Sequence, residues 1–132
     1  MGKFKKYFDA VDYLEKLATS QHDQAYMNNR NNNPQQYVER TRELIKLLGN
    51  PHRGFKFIHI SGTSGKGTTV SYLHQILYKT GYKTGSFTSP YATTSIEKIK
   101  VNDKLIDPLI FAKIVNDMKP AIEKMDRDYK YG

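Results

Sequence analysis

The sequence predicts an α/β protein built on a P-loop-type parallel sheet flanked by helices. Three observations carry that expectation. A short apolar, β-branched run, Phe55 to Ile60, leads into a glycine-broken stretch and then into apolar residues at helical spacing. Downstream, "KTGSFTS" offers a second strand, completing a strand–loop–helix–strand unit of the kind that helices bury on both faces. Finally, 132 residues suffice for one domain with a core, yet they supply only two or three strands. A doubly wound sheet uses more, so residues 1–132 are expected to be the incomplete N-terminal part of a larger fold.

The elements follow in order. "YFDAVDYLEKLATS" sets Phe8, Val11, Leu14 and Leu17 at helical spacing, with Asp9 a candidate start cap. The Asn-rich "QHDQAYMNNRNNN" around Arg30 is expected to be a loop. Pro34 fits the first turn of a second helix, whose apolar stripe is Tyr37, Thr41, Leu44, Ile45 and Leu48, and Gly49 suits a left-handed C-terminal cap. "NPHRG" connects it to the strand. After the glycines, Val70, Leu73, Ile76 and Leu77 mark a third helix ended by Gly81. "IEKIKV" and "KLI", joined by Asn102–Asp103, predict a β-hairpin. Asp107 and Pro108 open a last helix, which Pro120 is expected to kink or restart.

Composition excludes several function classes. There is no cysteine, hence no disulfide, thiolate catalysis or cysteine-bound metal. No apolar run approaches the ~20 residues that span a bilayer, and no signal peptide is visible. The opening "MGKFKK" carries Lys6 where a myristoylation signal needs Ser or Thr. These absences point to the cytoplasm. The net charge of +8 is spread along the chain rather than gathered into a stripe, which suits a solvated surface better than nucleic acid. The ten tyrosines are not interleaved with basic residues as a stacking platform would require, and Tyr37 and Tyr72 are expected to pack. His22, His52, His59 and His74 share no metal-site spacing; His59 is expected to be a structural histidine in its strand, and His74 to face solvent.

The chemistry lies in "GTSGKGTT", Gly62 to Thr69. Nucleotide phosphates require convergent backbone N–H groups, a lysine, and a hydroxyl that holds Mg²⁺. Gly62, Gly65 and Gly67 allow the backbone to wrap closely, Lys66 supplies charge, and Thr68 or Thr69 supplies the hydroxyl. Thr63 and Ser64 complete the loop. The common pattern would place glycine at Ile60 and Ser or Thr at Gly67, so the spacing alone leaves open a glycine-rich turn with a surface lysine.

Three motifs in order resolve the odd glycine. "LLGNPHRGFKFIHISGTSGKGTT", "GYKTGSFTSPY" and "SIEKIKVNDKLID" together resemble folylpolyglutamate synthases and bifunctional dihydrofolate synthases, members of the Mur ligase superfamily. The resemblance runs from about Tyr37 to Met125. That family writes G-T-N/S-G-K-G-S/T in its loop, so Gly67 is expected there. The resemblance implies a Mur-ligase-like ATP-binding domain in residues 1–132 and a C-terminal ligase domain outside them. It implies an ATP-dependent ligation in which a folate carboxylate is phosphorylated and L-glutamate attacks the acyl phosphate. ATP and Mg²⁺ are the implied cofactors; dihydropteroate or tetrahydrofolate and L-glutamate are the implied substrates, and a monomer is expected.

Carried over by position, Gly62, Thr63, Ser64, Gly65, Lys66, Gly67, Thr68 and Thr69 would bind ATP. Thr68 and Ser89 would approach the metal, and Ser89, Pro90 and Tyr91 would form a substrate loop. Tyr91 stands where the family has His, and "ATTS" departs from its pattern, which bears on substrate choice. Glu97 falls in the family's E-R-I motif and is expected either as a surface charge or as a brace for the hairpin. The family's glutamate metal ligand and modified lysine have no counterpart in these residues. No catalytic residue is therefore assigned, and the chain is not expected to turn over by itself. Two other readings stand beside this one: another Mur-type ligase, and a non-catalytic nucleotide- or nucleic-acid-binding module.

Overall fold

A computed structural model describes residues 2–18 and 34–128. The Asn-rich loop and His22 lie outside the described residues. The elements are α1 (Gly2–Ala18), α2 (Pro34–Leu47), α3 (Lys66–Lys79), β1 (Gly85–Phe87), a 3₁₀ turn (Ser95–Lys98), β2 (Ile99–Val101), β3 (Lys104–Leu105) and α4 (Pro108–Asp128).

The core is made by the two ends of the chain. Tyr7 and Ala10 of α1 meet Phe111, Ala112 and Val115 of α4, with Ile106 closing the cluster. Tyr7 and Phe111 pack as tilted rings with centroids 5.6 Å apart. The buried stripe of α1 is thus Tyr7 and Ala10 flanked by Val11 and Leu14, not the Phe8–Leu17 line; Phe8 and Leu17 are exposed. The helix also begins well before Asp9, which sits inside it rather than capping it. The cause is that α4 covers the face one position round from the one that periodicity alone selects.

In α2, Leu44, Ile45 and Leu48 are half-buried, whereas Tyr37 and Thr41 face solvent. Its end is as expected: Gly49 takes φ 77°, and the Asn50 N–H donates to the Ile45 carbonyl at 2.8 Å, the hydrogen bond of a Schellman ending. Asp107 caps α4 by accepting from the Leu109 N–H at 2.7 Å, with Pro108 at the first helical position. The helix continues as one element through Pro120, which costs it a hydrogen bond without restarting it.

The sheet departs from expectation. It is antiparallel, in the order β1–β2–β3, with Ser86 opposite Lys100 and Lys100 opposite Leu105. The β2–β3 hairpin turns on Asn102–Asp103, as the sequence predicts, with Asn102 at φ 54°. The parallel P-loop sheet is not formed among the described residues. Phe55 to Ile60 runs without strand pairing, and Phe55 and Phe57 are 70% and 73% exposed. A buried parallel strand needs a neighbour in register. β1, the strand next in sequence, pairs with β2 along one edge, and Phe55 to Ile60 do not form a ladder with its other edge. His59 is accordingly exposed rather than held in a strand.

Candidate functional site

The site is built on α3. Its first residue is Lys66, four positions before the apolar pattern begins, so the end of the glycine loop is already helix. Gly65, the residue before it, has φ 74°, a left-handed conformation that a Cβ would strain. No side chain caps this helix start. The first N–H groups of α3 therefore face outward with the positive end of the helix dipole behind them. Residues 61–69 are all exposed, so the loop is open to a ligand.

Lys66 folds back over the loop. Its Nζ donates to the Gly62 carbonyl at 2.6 Å and to the Thr63 carbonyl at 3.4 Å. The ammonium is thus held beside the loop by weak neutral acceptors that an anion would displace. The two threonines are not equivalent. The Thr69 hydroxyl donates to the Gly65 carbonyl at 2.9 Å, whereas no hydrogen bond among the described residues uses the Thr68 hydroxyl. No group of three or more His, Cys, Asp or Glu that could hold a metal occurs among the described residues.

His74 ties α3 to the hairpin. It is 3% exposed, contrary to the expectation that it faces solvent, and its Nε2 hydrogen-bonds the Asn102 carbonyl. Asn102 in turn holds Thr84: its Oδ1 accepts from the Thr84 N–H at 3.0 Å, and its N–H donates to the Thr84 carbonyl at 2.8 Å. Thr84 therefore lies level with the middle of α3, the chain having turned back from the helix C-terminus. Tyr72, expected to pack, is instead 69% exposed on α3.

Beyond β1 the chain forms a loop around one carboxylate. Glu97 accepts from the Ala92 N–H at 3.1 Å through Oε2, and from the Thr93 and Thr94 N–H groups at 3.1 and 2.9 Å through Oε1. These donors, Ala92 first and then Thr94, hold its carboxyl below the usual glutamate value against a smaller opposing effect of desolvation. Thr94 and Glu97 form a capping box on the 3₁₀ turn. The Tyr7 hydroxyl of α1 meets Thr94 Oγ1 at 2.8 Å, which anchors the loop to the core. The Lys98 ammonium stands 4.4 Å from the centroid of the Tyr91 ring. Ser89, Pro90 and Tyr91 thus share one loop, joined by a cis peptide bond between Ser89 and Pro90. Sequence reasoning missed the reach of Glu97, although Thr94-x-x-Glu97 has capping-box spacing. It had no signal for Tyr7.

These features are those of an α/β chain with a glycine loop at a helix N-terminus and a second loop ordered around the Glu97 carboxylate. Comparisons give the lineage. No protein-family model matches the chain. It is 40% identical over 93 residues to a dihydrofolate synthase/folylpolyglutamate synthase of Bacillus subtilis, covering 70% of this chain and 21% of that protein. It is 32% identical over 111 residues to a mitochondrial folylpolyglutamate synthase of Cricetulus griseus, covering 82% and 19%. The solved folylpolyglutamate synthase of Thermotoga maritima superposes with a TM-score of 0.67 at 37% identity, over 72% of this chain and 23% of that one. A Lactobacillus casei structure shares the fold at TM-score 0.72, over 92% and 28%. The chain belongs to the folylpolyglutamate synthase/dihydrofolate synthase family, and it spans about a fifth of the length of the curated relatives it matches.

Proposed function

We propose that this chain is the ATP-handling N-terminal part of a cytoplasmic, monomeric ligase that joins L-glutamate to a folate. The observation that carries the reading is the uncapped start of α3 behind left-handed Gly65, with the Lys66 ammonium held beside it. Relatives named for folate glutamylation and dihydrofolate synthesis support the substrate class.

In this reading the N–H groups of Gly62 to Gly67 receive the phosphates, and Lys66 leaves the Gly62 and Thr63 carbonyls for the β and γ oxygens. Thr69 keeps its bond to Gly65 and holds the first helical turn. The donor set fits Mg²⁺ only in part: Thr68 and Ser89 offer hydroxyl oxygens, which suits an ion that takes its other ligands from phosphate and water. When bound, Mg²⁺ would supply neutralisation of phosphate charge. The γ-phosphoryl group passes to a folate carboxylate, giving an acyl phosphate and ADP. The glutamate amino nitrogen then attacks the acyl carbon, and inorganic phosphate leaves. Dihydropteroate and tetrahydrofolate both have the carboxylate that this needs. The chain supplies binding and orientation; no residue in it is assigned the chemistry, and turnover by the isolated chain is not expected.

Calorimetry with Mg-ATP tests the reading. The expected result is binding by the natural chain, weakened at least tenfold in Lys66→Ala. Equal affinity in both proteins would remove the role given to Lys66. Oligonucleotide binding that is steeply salt-dependent and indifferent to Lys66→Ala would favour a nucleic-acid module instead.

A further inference from the structure

The geometry points to Glu97 as the positioning residue of the Thr88–Thr94 loop, the group that fixes where Ser89, Pro90 and Tyr91 stand for a folate-type substrate. The identity of that ligand rests on the function proposed above; the clamp itself rests on contacts alone.

Three consecutive backbone N–H groups, those of Ala92, Thr93 and Thr94, converge on the two oxygens of one side chain. Residues 88–94 have no helix or strand of their own, so these bonds replace the ladder that would otherwise order the backbone. Both loop ends are tied independently. At its start the Thr88 N–H donates to the Lys98 carbonyl at 2.9 Å, and at its end the Tyr7 hydroxyl meets Thr94. Between them, among the described residues, it is Glu97 that spans the loop interior, and Lys98, the next residue, stands against the Tyr91 ring. Loop backbone and Tyr91 are therefore set by adjacent residues of one short turn.

The chemistry demands a carboxylate. Two oxygens with four lone pairs accept three N–H groups, and the negative charge strengthens each bond. Glutamine is nearly the same shape but offers one acceptor oxygen, and its NH₂ would oppose the donors. Aspartate keeps the charge but is one methylene short. The loop therefore distinguishes these residues by charge and by reach. Glu97 touches no ligand in this scheme; it acts through the backbone of the loop.

Amide exchange and two-ligand titration of the ¹⁵N-labelled chain test the assignment. In Glu97→Gln, the Ala92, Thr93 and Thr94 amides should exchange at least tenfold faster while core amides of Phe111 and Val115 do not. Affinity for dihydropteroate or tetrahydrofolate should fall at least tenfold with Mg-ATP affinity within twofold, and Glu97→Asp should fall between. Unchanged exchange at those three amides would overturn the clamp. Equal weakening of both ligands, with core amides also accelerated, would reduce Glu97 to a general structural role. A natural chain that binds neither ligand would sink the functional reading, and the exchange result would still decide on the clamp.

Discussion

The packed α1–α4 pair and the arm from Phe55 to Thr69 are built on opposite terms. The pair holds most of the buried apolar side chains among the described residues, with Ala10 fully covered. The arm holds none, although it contains the most apolar strand signal in the sequence and its only strong chemical motif. Stability and chemistry are thus separated: the ends of the chain fold on each other, and the motif is hung from them by His74, Asn102 and Thr84. The separation has a physical cause. In the phosphate-binding role proposed above, the loop would have to leave its N–H groups unpaired and accessible, which is incompatible with contributing to a core.

Four substitutions, taken from the core outward, test this contrast. Phe111→Ala, in the core, should lower unfolding free energy by about 3 kcal/mol, read from the urea midpoint. His74→Ala, at the link, should cost about 2 kcal/mol, because it empties a buried site and leaves the Asn102 carbonyl without its partner. Comparable losses from the two would be expected; a negligible loss from the second would mean that the arm is held by other contacts. Asp107→Ala removes the cap of α4 and should cost about 1 kcal/mol by the same measurement. Phe57→Ser, in the exposed arm, should move the midpoint by less than about 0.5 kcal/mol. A large loss there would show that residues 55–60 are paired in solution and would erase the contrast.

A pH titration addresses the second loop. The carboxyl of Glu97 is held below its usual value, so its stabilisation is present above the unfolded value and lost as pH falls through the lower folded one. The amide shifts of Ala92, Thr93 and Thr94 should titrate together on that acid side, and Glu97→Gln should abolish the shared transition.

The parts legible in the sequence are those governed by near neighbours. Gly49 and Gly81, Asp107 with Pro108, Asn102–Asp103, and the start of a helix at the glycine loop each follow from local backbone chemistry, and each stands in the structure. Family membership was legible in three short motifs for the same reason: they are contiguous. What the sequence could not determine was which faces meet. Apolar spacing made Phe8 and Tyr72 look buried and His74 exposed, but periodicity gives only the existence of a face, and a partner decides which one is covered. Phe55 to Ile60 has the composition of a buried strand, yet pairing depends on a neighbour in register, and composition does not say whether the free edge of β1 is taken up. The bond from Tyr7 to Thr94 joins residues 87 positions apart. Only the packing of α1 against α4 brings them together, so only the tertiary structure could place the second loop.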